Sequence, residues 1–393
     1  MERKTLVVEK TPYFPIDVLR GLAVSLMIFA NNMGDWDHVY PCMDHAPWIG
    51  FTLIDWVFPV FLFCMGFSMI FSLKKYDKLD SAFFKKILTR TVILYAIGIL
   101  MRTIGGVCGK LTVGIPFGEA LIQTLSSTRF YGVFPRLALC GFLCSILIVW
   151  CRKNTRCLLG ISTALLVLYA LLLAFGNGYE FSESNILYRV DHLIFSTKHL
   201  LSDTVNGVTL SFDPEGLLSN ISCVAHVLNG YLIAELTFRQ AEAKDRSLNL
   251  FISGFLMLAL GWLLTPIIPI GKKMWSVTFV LVTCGINACL LALIIWLTDV
   301  LKHKRWFYFW NVLGNNALFM YAWSTCVYFV FQFLPLGRTA NGVITIKNIL
   351  MSCASVISFG NPYLASALYA AVFFLINWLF GWFLYRRKIS IKL

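Results

Sequence analysis

Apolar runs of about twenty residues, the length that crosses a bilayer as a helix, recur along almost the whole of this 393-residue chain. They fall at 16–33, 51–73, 87–105, 132–150, 158–175, 216–238, 248–268, 277–301, 310–334 and 363–385. Backbone in hydrocarbon has to satisfy its own N–H and C=O groups, so such runs fold as helices. The expectation is one all-α, polytopic integral membrane domain over residues 1–393, with about ten transmembrane helices. The weaker run 344–359, which holds Lys347 and Asn348, reads as an interfacial helix and not an eleventh span. Only 13% of residues are charged, about half the share of a soluble domain, which excludes a water-soluble enzyme. The first run follows a basic segment, as a signal peptide would. It nevertheless holds Asp17 and Arg20 and ends in FANNMGDWD without a small-x-small cleavage site, so it is kept as helix 1.

The cations set the orientation. Arg3, Lys4 and Lys10, then Lys74 to Arg90, Arg152 to Arg156, Arg239 to Arg246, Lys302 to Arg305 and Arg386 to Lys388 occupy every second loop and both ends. By the positive-inside rule both termini are cytoplasmic. Loops 34–50, 106–131, 176–215, 269–276 and 335–362 then face outward, in a bilayer expected to be a bacterial inner membrane. This pattern accounts for most of the +13 net charge, so no nucleic acid is called for. Twelve Cys lie mostly inside apolar runs, without CxxC or a His/Cys zinc spacing; they read as core residues rather than metal ligands. Cys42 and Cys108, both placed in outer loops, are the pair to check for a disulfide.

Between the first two runs the composition changes. From Ile28 to Met65 the chain holds two Asn, four Asp, two His and three Trp. Polar groups clustered at a helix exit are costly in hydrocarbon and mark a site. His45 is the first choice for a general base, because imidazole alone is poised near neutral pH to take a proton; a His that carries the acetyl group as a nucleophile needs the same position, so that role stays open. If helix 2 begins near Trp48, Asp55 lies about two turns into it, roughly 10 Å below the interface, where a carboxylate needs a partner; His45 can be that partner. Pro59 leaves the carbonyl of Asp55 without its helical bond, which predicts a kink. Asn31 and Asn32 end helix 1 and either donate to an oxyanion or cap its last carbonyls. Asp35, with Trp36, Asp37 and His38, reads either as a rim able to bind hydroxyls or as a solvated loop, and Trp48 completes the group.

Further along, Arg136, Lys272, Lys273 and Trp275 lie at the same outer face, placed either to close over a ligand or to anchor at headgroups. Asn315 and Asn316 sit inside an apolar run, where amides have to be paired and often line a cavity. Asp213 and Glu215 read as the cap and first turn of helix 6. Arg20 is the candidate cytoplasmic anchor for an anionic ligand, with an Asp17–Arg20 ion pair as the structural alternative. Polar residues gather at helix ends, and helices 1 and 6 show no matched Gly/Pro breaks. That speaks against an inverted-repeat transporter or exporter of a small polar solute, the competing class.

The run IDVLRGLAVSLMIFANN…HAPWIGFTLIDWVFPVFLFCMG resembles the opening of the heparan-alpha-glucosaminide N-acetyltransferase family, whose pattern is D-x-x-R-G, an Asn closing helix 1, then H-A-x-W-x-G-x-x-x-x-D-x-V-F-P. FYGVFPRLAL, FDPEGLLS, PIGKKMWSVTFVLVT and VLGNNALFMY follow in the family's order, so the resemblance extends from Asp17 to Tyr321. It implies acetyl transfer from cytoplasmic acetyl-CoA to an amino sugar or other saccharide on the periplasmic face, with no metal. The family's catalytic His falls on His45, its neighbouring Asn on Asn31 and its helix-2 Asp on Asp55. The loop from Asn31 to His45 is longer and more acidic than the family's, which leaves the acceptor open; a homodimer is compatible with the pattern. A passage lined by helices 1, 2 and 9, with Asn31, Asp55 and Asn315 or Asn316 facing it, is the expected donor route.

Overall fold

The computed structural model describes residues 13–339 and 342–391; Arg3, Lys4 and Lys10 lie outside them. The first helices are α1 (Phe14–Ala30), α2 (Val57–Ser72, entered through a 3₁₀ turn at Ile54–Trp56), α3 (Ser81–Thr112), α4 (Phe117–Leu125), α5 (Val133–Trp150), α6 (Thr155–Phe175) and α7 (Ile186–Ile194). A hairpin follows, β1 (Ser202–Val205) with β2 (Val208–Ser211), then α8 (Asn220–Phe238), α9 (Ala243–Leu263) and α10 (Val277–Ile295). After α11 (Tyr308–Gly314) and α12 (Ala317–Phe333) come a second hairpin, β3 (Gly337–Thr339) with β4 (Gly342–Ile344), and helices α13 (Ile346–Ile357) and α14 (Pro362–Arg386).

Every apolar run read from the sequence carries a helix, and among the described residues eight helices are long and apolar enough to cross a membrane. Helices α1 and α12 have 17 residues each. The chain is thus a mostly helical integral membrane protein, with two small antiparallel hairpins that the all-α expectation lacked. The loop expected at 106–131 is also partly helical: α3 runs to Thr112 and α4 follows. Cys108 therefore belongs to α3, and both it and Cys42 are free thiols.

Helices α2 and α8 form the centre. In their apolar windows 89% and 83% of residues are buried, against 22% for α3, whose Leu88, Val92 and Leu100 face outward. The two central helices meet through glycine. A Cβ on Gly66 would come within 1.9 Å of the Val227 carbonyl oxygen, and one on Gly230 within 2.3 Å of that of Phe63. Such mutual backbone contact is how helices associate where hydrophobicity gives no drive. The same device joins α1 to α11, with Gly21 against the Trp310 carbonyl and Gly314 against that of Asp17.

Loop contacts sort the two ends of the bundle. At one end, Gly50 N–H donates to the Ile270 carbonyl at 2.8 Å, Trp48 reaches Tyr179, and Asp35 exchanges hydrogen bonds with Ser366. At the opposite end Lys153 pairs with Asp77 at 2.8 Å, and Asn316 binds the backbone of Ile389 and Ile391.

Candidate functional site

The loop between α1 and α2 builds the centre of the site. Asp55 is fully buried, although not by depth: helical structure begins only at Ile54, so the carboxylate stands in the opening 3₁₀ turn instead of two turns inside a helix. What buries it is the loop folding back over it. Its Oδ2 accepts from Ala46 N–H at 3.2 Å, Thr52 N–H at 3.1 Å and Thr52 Oγ1 at 3.1 Å. Gly50, at φ 135°, makes the reversal that returns the chain to Thr52. Pro59 falls in the first turn of α2, just after the 3₁₀ turn that holds Asp55.

Asp55 Oδ1 lies 2.8 Å from His45 Nδ1. An ionised carboxylate only accepts, so Nδ1 carries the proton and donates, and Nε2 is left as the basic nitrogen. The His45 side chain is 42% exposed while that of Asp55 is at 0%, so a held imidazole presents its free edge at the surface of the site end. The Lys272 ammonium comes from the loop before α10, 3.1 Å from Nε2 and 3.2 Å from Nδ1, and lies 3.8 Å from Asp55 Oδ1. Burial pushes its pKa below the ordinary lysine range, against the pull of Asp55 and Glu215.

That loop is firmly anchored. Trp275 sits in the left-handed region at φ 49°, a costly backbone state for a bulky residue, and is 1% exposed. Its carbonyl accepts from Ser222 Oγ at 2.9 Å and the Met274 carbonyl from Tyr169 OH at 2.5 Å. Its ring lies under the Arg136 guanidinium, 5.1 Å away. Arg136 is itself wholly buried, with one nitrogen bonded to Ser219 Oγ and the Gly216 carbonyl while Nε and Nη1 make no hydrogen bond. Both residues lie inside the bundle, holding the Lys272 loop on α5 and α8. Beside them Arg129 bridges Asp213 and Glu215. Burial alone would raise the Glu215 carboxyl, but Arg129, Arg136 and Lys272 hold it down to about 2. Asp213 and Glu215 thus serve this ion cluster, and the cap of α8 is Ser219.

The remaining sequence candidates separate. Asn31 holds the C-cap position of α1 with its side chain exposed at the site end, while Asn32 turns inward and its amide donates to the Ile28 carbonyl at 2.7 Å, so the side chain that caps the helix is that of Asn32. Asp35 holds His38 at 2.7 Å, a contact that keeps its carboxyl below the usual range, and its backbone is tied to α14 through Ser366. Trp48 offers no face to a ligand: it is 5% exposed, its indole N–H donates to the Tyr179 carbonyl, and its ring packs on Phe181 and Phe212. Lys273 pairs with Asp203 of β1 at 2.5 Å. Asn315 and Asn316 interrupt the ninth apolar run between α11 and α12 at the opposite end of the bundle, so the expected shared lining with Asp55 is not formed. Asn316 there receives the Ile391 N–H and donates to the Ile389 carbonyl. Arg20, toward the same end, pairs with Asp17 at 3.0 Å and donates to Ser68. Arg129 is the site residue that sequence reasoning did not single out; position in an outer loop was the only signal it gave. Lys272, named from the sequence only as one of several outer-face cations, is the one that reaches His45.

Residues 13–175, from the start of α1 through α6, match the family described as heparan-alpha-glucosaminide N-acetyltransferase, catalytic. The heparan-alpha-glucosaminide N-acetyltransferase of Mus musculus is 25% identical over 316 residues, 67% of this chain and 46% of that protein. The Homo sapiens enzyme is 25% identical over 317 residues, 67% of this chain and 45% of its own length. The chain thus spans less than half the length of these curated relatives. Over residues 13–175, which take in the whole His45–Asp55 loop, the chain is thus similar to the heparan-alpha-glucosaminide N-acetyltransferase family.

Proposed function

We propose that this protein is a single-domain transmembrane acetyltransferase. It moves an acetyl group from acetyl-CoA on the cytoplasmic side of a bacterial inner membrane to an amino sugar at the periplasmic, His45-bearing end. The observation that carries the reading is the His45–Asp55 pair, at 2.8 Å, in which a buried carboxylate fixes the tautomer of an exposed imidazole. Cations in alternate loops support the orientation.

In the reaction His45 Nε2 takes a proton as the acceptor amine attacks the thioester carbonyl. The new C–N bond forms, the C–S bond breaks, and the departing thiolate collects the proton from the imidazolium. Asn31 supplies an amide donor to the oxyanion. Lys272 places its ammonium beside both ring nitrogens, at the edge the acceptor has to approach.

Sealed inside-out membrane vesicles loaded with glucosamine and given acetyl-CoA outside test reaction and sidedness together. N-acetylglucosamine accumulates in the lumen while free thiol appears outside, and His45→Ala lowers both by about 10²–10⁴-fold. Lumenal product without thiol release, or activity of His45→Ala within threefold of wild type, refutes the assignment.

A further inference from the structure

At the level of Met65 to Leu73, toward the end of the bundle opposite His45, α2 leaves a cavity of about 40 Å³ against α3 and α5. Its charged lining is Lys86 and Arg90, one turn apart on α3, with the hydroxyls of Ser72, Thr91 and Ser145 around them. Lys86 donates to the Ser72 carbonyl at 3.2 Å. Arg90 buries its Nε without a hydrogen bond, and among the described residues no carboxylate is within ion-pair distance of it. Its charged neighbour is Arg20, another cation, whose own charge is already matched by Asp17. A half-buried guanidinium that faces a cavity with no anion beside it, its Nε shut off from any acceptor, is costly. A tetrahedral oxyanion offers the planar donors of an arginine a bidentate fit, with an ammonium beside it as a point charge.

We propose that the cavity between α2, α3 and α5 binds a phosphate group, held by Arg90 and Lys86. Two molecules at this face carry that group, the diphosphate of a coenzyme A donor and the headgroup of an anionic phospholipid. The first source rests on the acetyltransferase reading and eases its steric difficulty. Along α2 the cavity lies about 15 to 27 Å from Asp55 at the rise of a helix, less than the ~30 Å hydrocarbon core that a pantetheine arm would span if the phosphates stayed outside.

Arg90→Gln, Arg90→Lys and wild type, purified into nanodiscs of zwitterionic lipid, are compared with acetyl-CoA and with acetyl-pantetheine, the same thioester without phosphate. A donor site predicts that Arg90→Gln raises KM for acetyl-CoA by about tenfold or more. It also predicts an unchanged kcat, no effect on acetyl-pantetheine, and partial recovery in Arg90→Lys, which keeps the charge. A headgroup site predicts unchanged KM and loss of bound phosphatidylglycerol in Arg90→Gln, read by native mass spectrometry after doping the nanodiscs with that lipid. Should wild type transfer no acetyl group, the transfer reading falls by itself. Titration of CoA and counting of phosphatidylglycerol in the same proteins then decide the cavity: loss of either in Arg90→Gln supports it. If Arg90→Gln keeps both, the proposal is overturned.

Discussion

Replacing Asp55 with Asn tests the centre of the site, because it keeps the shape and inverts the hydrogen bonding. Asp55 Oδ2 accepts three donors, from Ala46 and Thr52, while Oδ1 accepts one, from His45. An amide has a single oxygen, and the three-donor position claims it. The NH₂ is then directed at His45 Nδ1, which must become the acceptor. The ring proton moves to Nε2, the nitrogen that is needed as a base. Loss of a general base costs about 10²–10⁴-fold in rate, or roughly 3–5 kcal/mol of barrier. The oxygen side of the network survives, so the protein should remain folded. The assay is thiol release from acetyl-CoA with glucosamine at saturating substrate, with thermal unfolding in detergent as the control. An Asp55→Asn enzyme that retains kcat within threefold, at any pH, would show that the carboxylate does not orient His45.

Lys272→Met keeps the aliphatic stem and removes the cation 3.1 Å from His45 Nε2; acetyl transfer should fall by about tenfold or more with the loss of a cation at the reacting centre, and kcat and KM both within threefold of wild type would mean that Lys272 does not act there. Gly66→Ala drives a methyl to 1.9 Å from the Val227 carbonyl oxygen and should cost about 1–3 kcal/mol or more by overpacking; Gly160→Ala, where a Cβ meets nothing within 4 Å, is the control, and equal unfolding temperatures for the two would contradict the close α2–α8 contact. Asp191, 2% exposed in α7, has its pKa raised to about 6, chiefly by burial and also by Asp213. The folded carboxyl therefore keeps its proton between pH 4 and 6 while the unfolded one releases it, so stability is lost as pH rises through that window, by about 3 kcal/mol in all. Asp191→Asn, which can still accept from Leu217 N–H, should flatten this slope in unfolding measured from pH 4 to 8, and parallel profiles would refute it.

The sequence by itself determined whatever depends on the local run of residues. An apolar stretch of membrane length has to be a helix, so each of the runs carries one, and their order set the frame. Polar residues too costly for hydrocarbon marked the loop after α1, and the short separation of His45 from Asp55 made their pairing readable. Tertiary structure decided what depends on which loops meet. Asp55 is buried because residues 44–52 fold over it, so its depth could not be counted from a helix start. Trp48 resembles a sugar-stacking residue until Phe181 and Phe212 enclose it. Asn315 and Asn316 could equally have lined a passage, and only the returning C-terminal segment gave Asn316 its partner. Lys272 stands 227 residues from His45, on a loop fixed by Tyr169 and Ser222 of other helices. No periodicity or local motif encodes such a meeting; it comes from the packing of glycine-lined helices that brings the loops of one membrane face together.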